Sequence, residues 1–145
     1  MKFLRTATIA AAMLGVTLGA SHAADPSGTW HTEEGKATVH IAACGPALCG
    51  TIVSLKDAND PDTGKPRTDK NNADAGLRSR PMIGVLIVLG MKPSGANKWA
   101  GQVYNAEDGK TYSGNLTMTG DSSLQLQGCA LGGLLCKSQT WSRTN

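Results

Sequence analysis

Arg78 and Arg80 stand where a long polar stretch runs into the most apolar segment of the chain. A guanidinium at such a boundary can grip a carboxylate or phosphate through paired N–H donors. Either arginine at the mouth of a binding site would orient an anionic head group. The structural alternative is an ion pair with Asp69 or Asp74 that anchors the base of the polar stretch. Acid–base or metal chemistry has less to stand on. His40 alternates with Val39 and Ile41 and so faces away from the apolar side, and His31 has no partner at metal-ligand spacing. A serine–histidine–carboxylate set is absent as well. No catalytic residue, metal ligand or cofactor is assigned. Asp69, Asn71, Asn72 and Asp74 make an oxygen-rich run, but without the spacing of a calcium loop. Such a run suits a solvated loop in which Asx side chains cap their own backbone.

Cys44, Cys49, Cys129 and Cys136 are the other reactive set. Their meaning depends on compartment. Lys2 and Arg5, the small apolar run 6–20 and Ser21-His22-Ala23 read as a secretory leader over 1–23, too short to span a bilayer at ~20 residues. The mature part, 24–145, is then a single domain with no membrane span, periplasmic or secreted. In such a chain an even cysteine count points to disulfides. Pairing Cys44 with Cys49 and Cys129 with Cys136 is favoured, because each pair brackets a short turn-like segment; the spacings are loose for a four-thiolate zinc site. Removing Lys2 and Arg5 leaves 14 − 2 = 12 basic against 11 acidic residues, a net +1. That balance, with no basic run, argues against nucleic acid as a partner.

The elements that must position these residues are strands. In 98–119, Tyr112, Gly114, Leu116 and Met118 fall on one face and Thr111, Ser113, Asn115, Thr117 and Thr119 on the other, the period of a half-buried strand. Asp108-Gly109 before it is a hairpin signal. An even loop puts Trp99, Gly101 and Val103 on the face of Tyr112, Leu116 and Met118, whereas a one-residue slip would put Lys98, Ala100 and Gln102 there. Alternation recurs around Val39 and Ile41, in 49–55, at Leu124 and Leu126, and in 137–143, where Trp141 and Arg143 share a face. The segment 82–91 is apolar in both parities, which predicts burial on both sides, under the long loop or against a second subunit in a homodimer. The stretch 56–80 is a charged loop whose length suggests function or mobility. About eight short strands and no amphipathic helix after the leader describe an all-β, up-and-down antiparallel barrel.

Gly28-x-Trp30, Cys49-Gly50-x-Ile52, Arg78-x-Arg80-Pro81-x-x-Gly84, Trp99-x-Gly101, Asp108-Gly109-Lys110-x-Tyr112, Leu124-x-x-x-Gly128 and Thr140-Trp141-x-Arg143, in that order, resemble the exported bacterial family called domain of unknown function 2147. The resemblance covers nearly the whole mature chain and implies a lipocalin-like barrel without an established activity. This chain departs from it at Asn105-Ala106, where the family tends to have Asp-Pro. A looser likeness is to lipocalins themselves, in which a Gly-x-Trp on the first strand is covered by a late arginine. Trp30, Trp141 and Arg143 would then close the barrel, guanidinium stacked on indole.

Together these readings describe a non-enzymatic binder of a small hydrophobic or amphipathic molecule. Trp99, Val103, Tyr112, Leu116 and Met118 would line the cavity or simply fill it, and Gly101, Gly114 and Gly128 would leave it room. Arg78 or Arg80 would supply a preference for an anionic end. The alternative is an exported protein-interaction or inhibitor module of the cell envelope that uses the 56–80 loop.

Overall fold

The computed structural model describes residues 15–16 and 24–144; the leader read over 1–23 therefore lies, Gly15 and Val16 apart, outside the described residues. The strands are β1 (Gly28–His31), β2 (Ala37–Cys44), β3 (Ala47–Leu55), β4 (Leu86–Gly95), β5 (Lys98–Asn105), β6 (Lys110–Gly120), β7 (Ser123–Ala130) and β8 (Leu135–Arg143). Each pairs antiparallel with its neighbour in sequence, and β8 returns to β1, so the sheet closes into an up-and-down barrel. Closure removes the unpaired edges that an open sheet would leave.

Parity sets the register. Trp99 lies opposite Leu116, Gly101 opposite Gly114 and Val103 opposite Tyr112, with an even, four-residue turn between Asn105 and Lys110. The inward set is dry. Trp30, Val39, Ile41, Val88, Met91, Leu116, Leu124 and Trp141 are at most 1% exposed. Both expected disulfides form. Cys44 is bonded to Cys49 with Cα atoms 5.7 Å apart, and Cys129 to Cys136 at 4.1 Å.

Two expectations are corrected. The first concerns the glycines. Gly114 leaves no void, because side chains from other strands already occupy the space. A Cβ there would come within 2.5 Å of Val103 and 2.8 Å of Met91, and one on Gly50 within 2.9 Å of Val88, whereas one on Gly128 would meet Tyr112 at an ordinary 3.7 Å. Gly114 and Gly50 are thus the small halves of close-packed pairs. The second concerns 82–91, whose outer side the long loop does not bury. Strand β4 begins only at Leu86, and Ile83 and Leu86 are exposed. Its apolar residues occupy both parities because an irregularity lies between Leu89 and Lys92, where Gly90 takes a left-handed φ of 57°. The extra residue lets Val88 and Met91 both point inward. Gly101 sits across from it, and a Cβ there would come within 2.5 Å of the Leu89 carbonyl oxygen.

The topology gives the barrel two unlike ends. The turns after β1, β3, β5 and β7 lie at one end, with the long loop among them. The turns after β2, β4 and β6 lie at the other, together with the segment entering β1. There the β1–β8 seam is short, with only Trp30 opposite Arg143 and His31 opposite Ser142. Arg143 seals it. Its guanidinium carbon stands 4.3 Å from the Trp30 ring centre, and its three nitrogens donate to the carbonyls of Asp121, Ser27 and Asp25 at 2.7–2.9 Å. The Trp30 indole N–H donates to the Pro26 carbonyl at 2.8 Å.

Candidate binding site

At the loop end several charged side chains are tied into the structure. Tyr104 sits on the polar parity of β5, next to the inward Val103, yet it is buried. What covers it is the long loop, folded down the outer wall. The carboxylate of Asp69, itself fully buried, accepts from the Tyr104 hydroxyl at 2.5 Å, from the Asn72 amide at 2.8 Å, and from Arg80 Nε and Nη2 at 2.9 and 2.7 Å. Burial alone would raise the Asp69 pKa. The bonds from Tyr104, Asn72 and Arg80 outweigh it and hold the carboxyl below its ordinary range. Tyr104 is pushed up to about 12 by its burial and by donating to the Asp69 carboxylate. Asp60 reinforces the loop through Lys70 Nζ at 2.9 Å.

The loop also docks on the β5–β6 turn. Asn71 Nδ2 donates to the Glu107 carbonyl at 3.0 Å, and a Cβ on Gly109 would collide with the Asn71 carbonyl. Gly109 is therefore needed twice, for its φ of 70° and for this approach. Asn72 and Asp74 accept from the backbone N–H groups of Asp74 and Gly76, which are Asx turns.

Arg78 and Arg80 both bond within the loop. Arg80 is held on the outer wall by Asp69, and Arg78 Nε donates to the Asn72 carbonyl at 2.8 Å. Leu116 and Met118 belong to the packed core, with Val103 and Tyr112 half-buried beside it. The Tyr112 hydroxyl donates to Asp108. His31 and His40 lie exposed on the outer face, each with Nδ1 against a threonine hydroxyl, of Thr38 and Thr29. Among the described residues no group of three or more histidine, cysteine or acidic side chains is placed to hold a metal.

A concave feature lies at the opposite end. Ala43, Pro46, Leu48, Pro93 and Trp99 line an open cleft of ≈ 520 Å³ above the buried Met91, with residues 24–26 beside it. These side chains come from the ends of β2 to β5 and the turns between them. Ala43, Gly45 and Ala47 are small enough to leave the space, and the Cys44–Cys49 disulfide braces the turn that carries them. Of the expected ligand-facing residues only Trp99 reaches the cleft. The chief omissions of sequence reasoning are Tyr104 and the rim. An aromatic on the wet parity of β5 was the available signal for Tyr104; the rim has none, since its members are scattered over the chain.

Comparison with known proteins accords with this architecture. No curated protein matches the chain. Among solved structures, a Helicobacter pylori protein described as "Protein HP1028 from the human pathogen Helicobacter pylori belongs to the lipocalin family" superposes with a TM-score of 0.70 at 24% identity, covering 84% of each chain. At that identity the likeness is one of fold. A family model described as "Uncharacterized protein conserved in bacteria (DUF2147)" matches residues 28–143, from the first residue of β1 to the last of β8, and the chain belongs to that family.

Proposed function

We propose that the protein is an exported, non-enzymatic binder of a small apolar or amphipathic molecule, taken up in the cleft beside Trp99. The observation that carries this reading is the cleft itself, apolar on most of its lining and open to solvent. Such concave apolar surfaces with few polar groups are where small ligands bind. The lipocalin-like fold supports it, and two disulfides with no free cysteine among the described residues suit an oxidising compartment. The expected preference for an anion loses its Arg80 basis, because that guanidinium is paired with Asp69, while Arg78 donates through Nε to the Asn72 carbonyl. The charged lining side chain is instead Asp25. Cleavage after Ala23 would add the Ala24 ammonium beside it, so a neutral or zwitterionic polar end fits this rim better than a carboxylate. The second reading, a protein-interaction module, is favoured by the hydrogen-bonded, exposed loop at the other end.

The test is titration of the delipidated mature protein with a neutral naphthyl fluorophore, read by tryptophan quenching. Trp30 and Trp141 are buried, so Trp99 is the indole in reach. Saturable binding that weakens about tenfold in Trp99→Ala is expected, the loss of roughly one well-placed apolar contact surface. No saturable binding, or equal binding by the variant, overturns the assignment. A protein that co-purifies from the periplasm and is lost when the 56–80 loop is altered would favour the interaction module.

A further inference from the structure

Residues 24–145 contain two histidines, His31 and His40, and the pairing of β1 with β2 puts both on one patch of the outer wall. Thr29 lies opposite His40 and His31 opposite Thr38, so the histidines are diagonal neighbours across the ladder. The Thr32 N–H donates to the Ala37 carbonyl, and hydrogen-bonded and non-bonded pairs alternate from there along the two strands. The outward pairs are therefore the non-bonded ones, in which side chains stand closest. Diagonal neighbours lie about 7–8 Å apart, within reach of each other for an aromatic ring. Both rings are also held in the same way. Nδ1 of His40 is 3.1 Å from the Thr29 hydroxyl, and Nδ1 of His31 is 3.2 Å from the Thr38 hydroxyl. Each tether fixes a ring through one nitrogen and leaves Nε2 without a hydrogen bond among the described residues.

A threonine hydroxyl that accepts from Nδ1–H leaves the lone pair on Nε2. Metal-ligating imidazoles are commonly oriented in this way, by a polar partner on their other nitrogen. The neighbours across the ladder do not oppose a cation. Ser142 lies opposite His31 on β8 and Thr51 opposite His40 on β3, so the patch is flanked by hydroxyls, with no lysine or arginine in register. We propose that His31 and His40 together bind one late first-row divalent metal ion through their Nε2 atoms, with water in the remaining positions. Imidazole suits copper, nickel and zinc, and Cu2+ is held most tightly of the three by a given nitrogen site. Two protein ligands leave the ion exchangeable and open to a further donor. The spacing of the histidines along the chain hides the pair, which only the register of β1 on β2 assembles. The site lies on the outer wall and uses no residue of the cleft, so it stands or falls apart from the proposed small-molecule site.

The test is titration of the tag-free mature chain with Cu2+, followed by electron paramagnetic resonance. One ion per chain is expected, with splitting from two imidazole nitrogens. His31→Ala and His40→Ala should each weaken binding by about tenfold or more and leave the splitting of one nitrogen. Thr29→Val and Thr38→Val keep the branched shape of the side chain. Each should weaken binding about tenfold, the usual cost of removing a group that orients a ligating imidazole. Circular dichroism checks that the variants fold. A wild-type spectrum with one imidazole or none, or binding that both histidine variants leave unchanged, overturns the proposal, since the ion then sits at the terminal amine or on a carboxylate. Two equal ions per chain, one of them lost in each histidine variant, overturn it as well, because the histidines then act separately. Full-strength binding by both valine variants overturns the orientation on which it rests.

Discussion

The two ends of the barrel treat polarity in opposite ways. At the loop end, Asp69, Arg80, Asn72 and Tyr104 form a closed hydrogen-bonded set on the outer wall, and every donor named there has an acceptor. At the other end, Arg143 and backbone carbonyls seal the seam, while small and apolar side chains leave a concavity open. The contrast teaches that Asp69, Arg80 and Arg143 mark where the chain is tied down. The cleft has Asp25 as its charged lining residue. A guanidinium beside an apolar segment suggests a ligand clamp, but a carboxylate from the same loop reaches it first and satisfies it.

The sharpest way to break the contrast is at the sealed end. Trp30 is fully buried, bonds the Pro26 carbonyl and lies under Arg143. Trp30→Ala should lower stability by about 3–5 kcal/mol in denaturant titration and loosen the cleft rim with it. A variant that melts like the parent would show that the seam does not depend on this indole.

A smaller effect is expected at the clasp. Tyr104→Phe keeps the ring and removes the hydroxyl that donates to Asp69. A lost hydrogen bond to a charged group corresponds to about 1.5–3 kcal/mol. The measurable sign is faster proteolysis within 56–80, with fluorophore binding at the far cleft unchanged. Equal loss at both ends would mean that the two regions are one cooperative unit.

The mildest perturbation is pH. The Asp69 pKa is lower folded than its ordinary 3.8, so its contribution is whole above that value and is lost as pH falls through the folded pKa. Tyr104 shifts the other way, from 10.0 to about 12, so its contribution is whole below pH 10 and is lost as pH rises toward 12. Loop proteolysis should therefore rise at both extremes and stay flat between them. In Tyr104→Phe the alkaline limb should be weaker. An unchanged alkaline limb would place the sensitive group elsewhere.

Much of this architecture was legible in the residues alone. Side-chain direction alternates by covalent geometry, so Tyr112 to Met118 declared their face, and a two-residue period left one register for the hairpin with Trp99 and Val103. The disulfides were legible for a similar reason. Each bridges residues a few positions apart across a turn. What parity cannot supply is the occupant of a volume. Gly114 reads as empty space until Val103 and Met91 are seen to fill it. Arg80 reads as available until Asp69 and Tyr104, 35 positions apart from each other, are brought together over the outer wall. The cleft belongs to no single segment, since its wall combines the ends of four strands with residues 24–26. Local alternation determined which way each side chain points. Only the closure of the barrel and the path of the loop decided what it meets there, because packing and charge pairing depend on neighbours that are near in space and far along the chain.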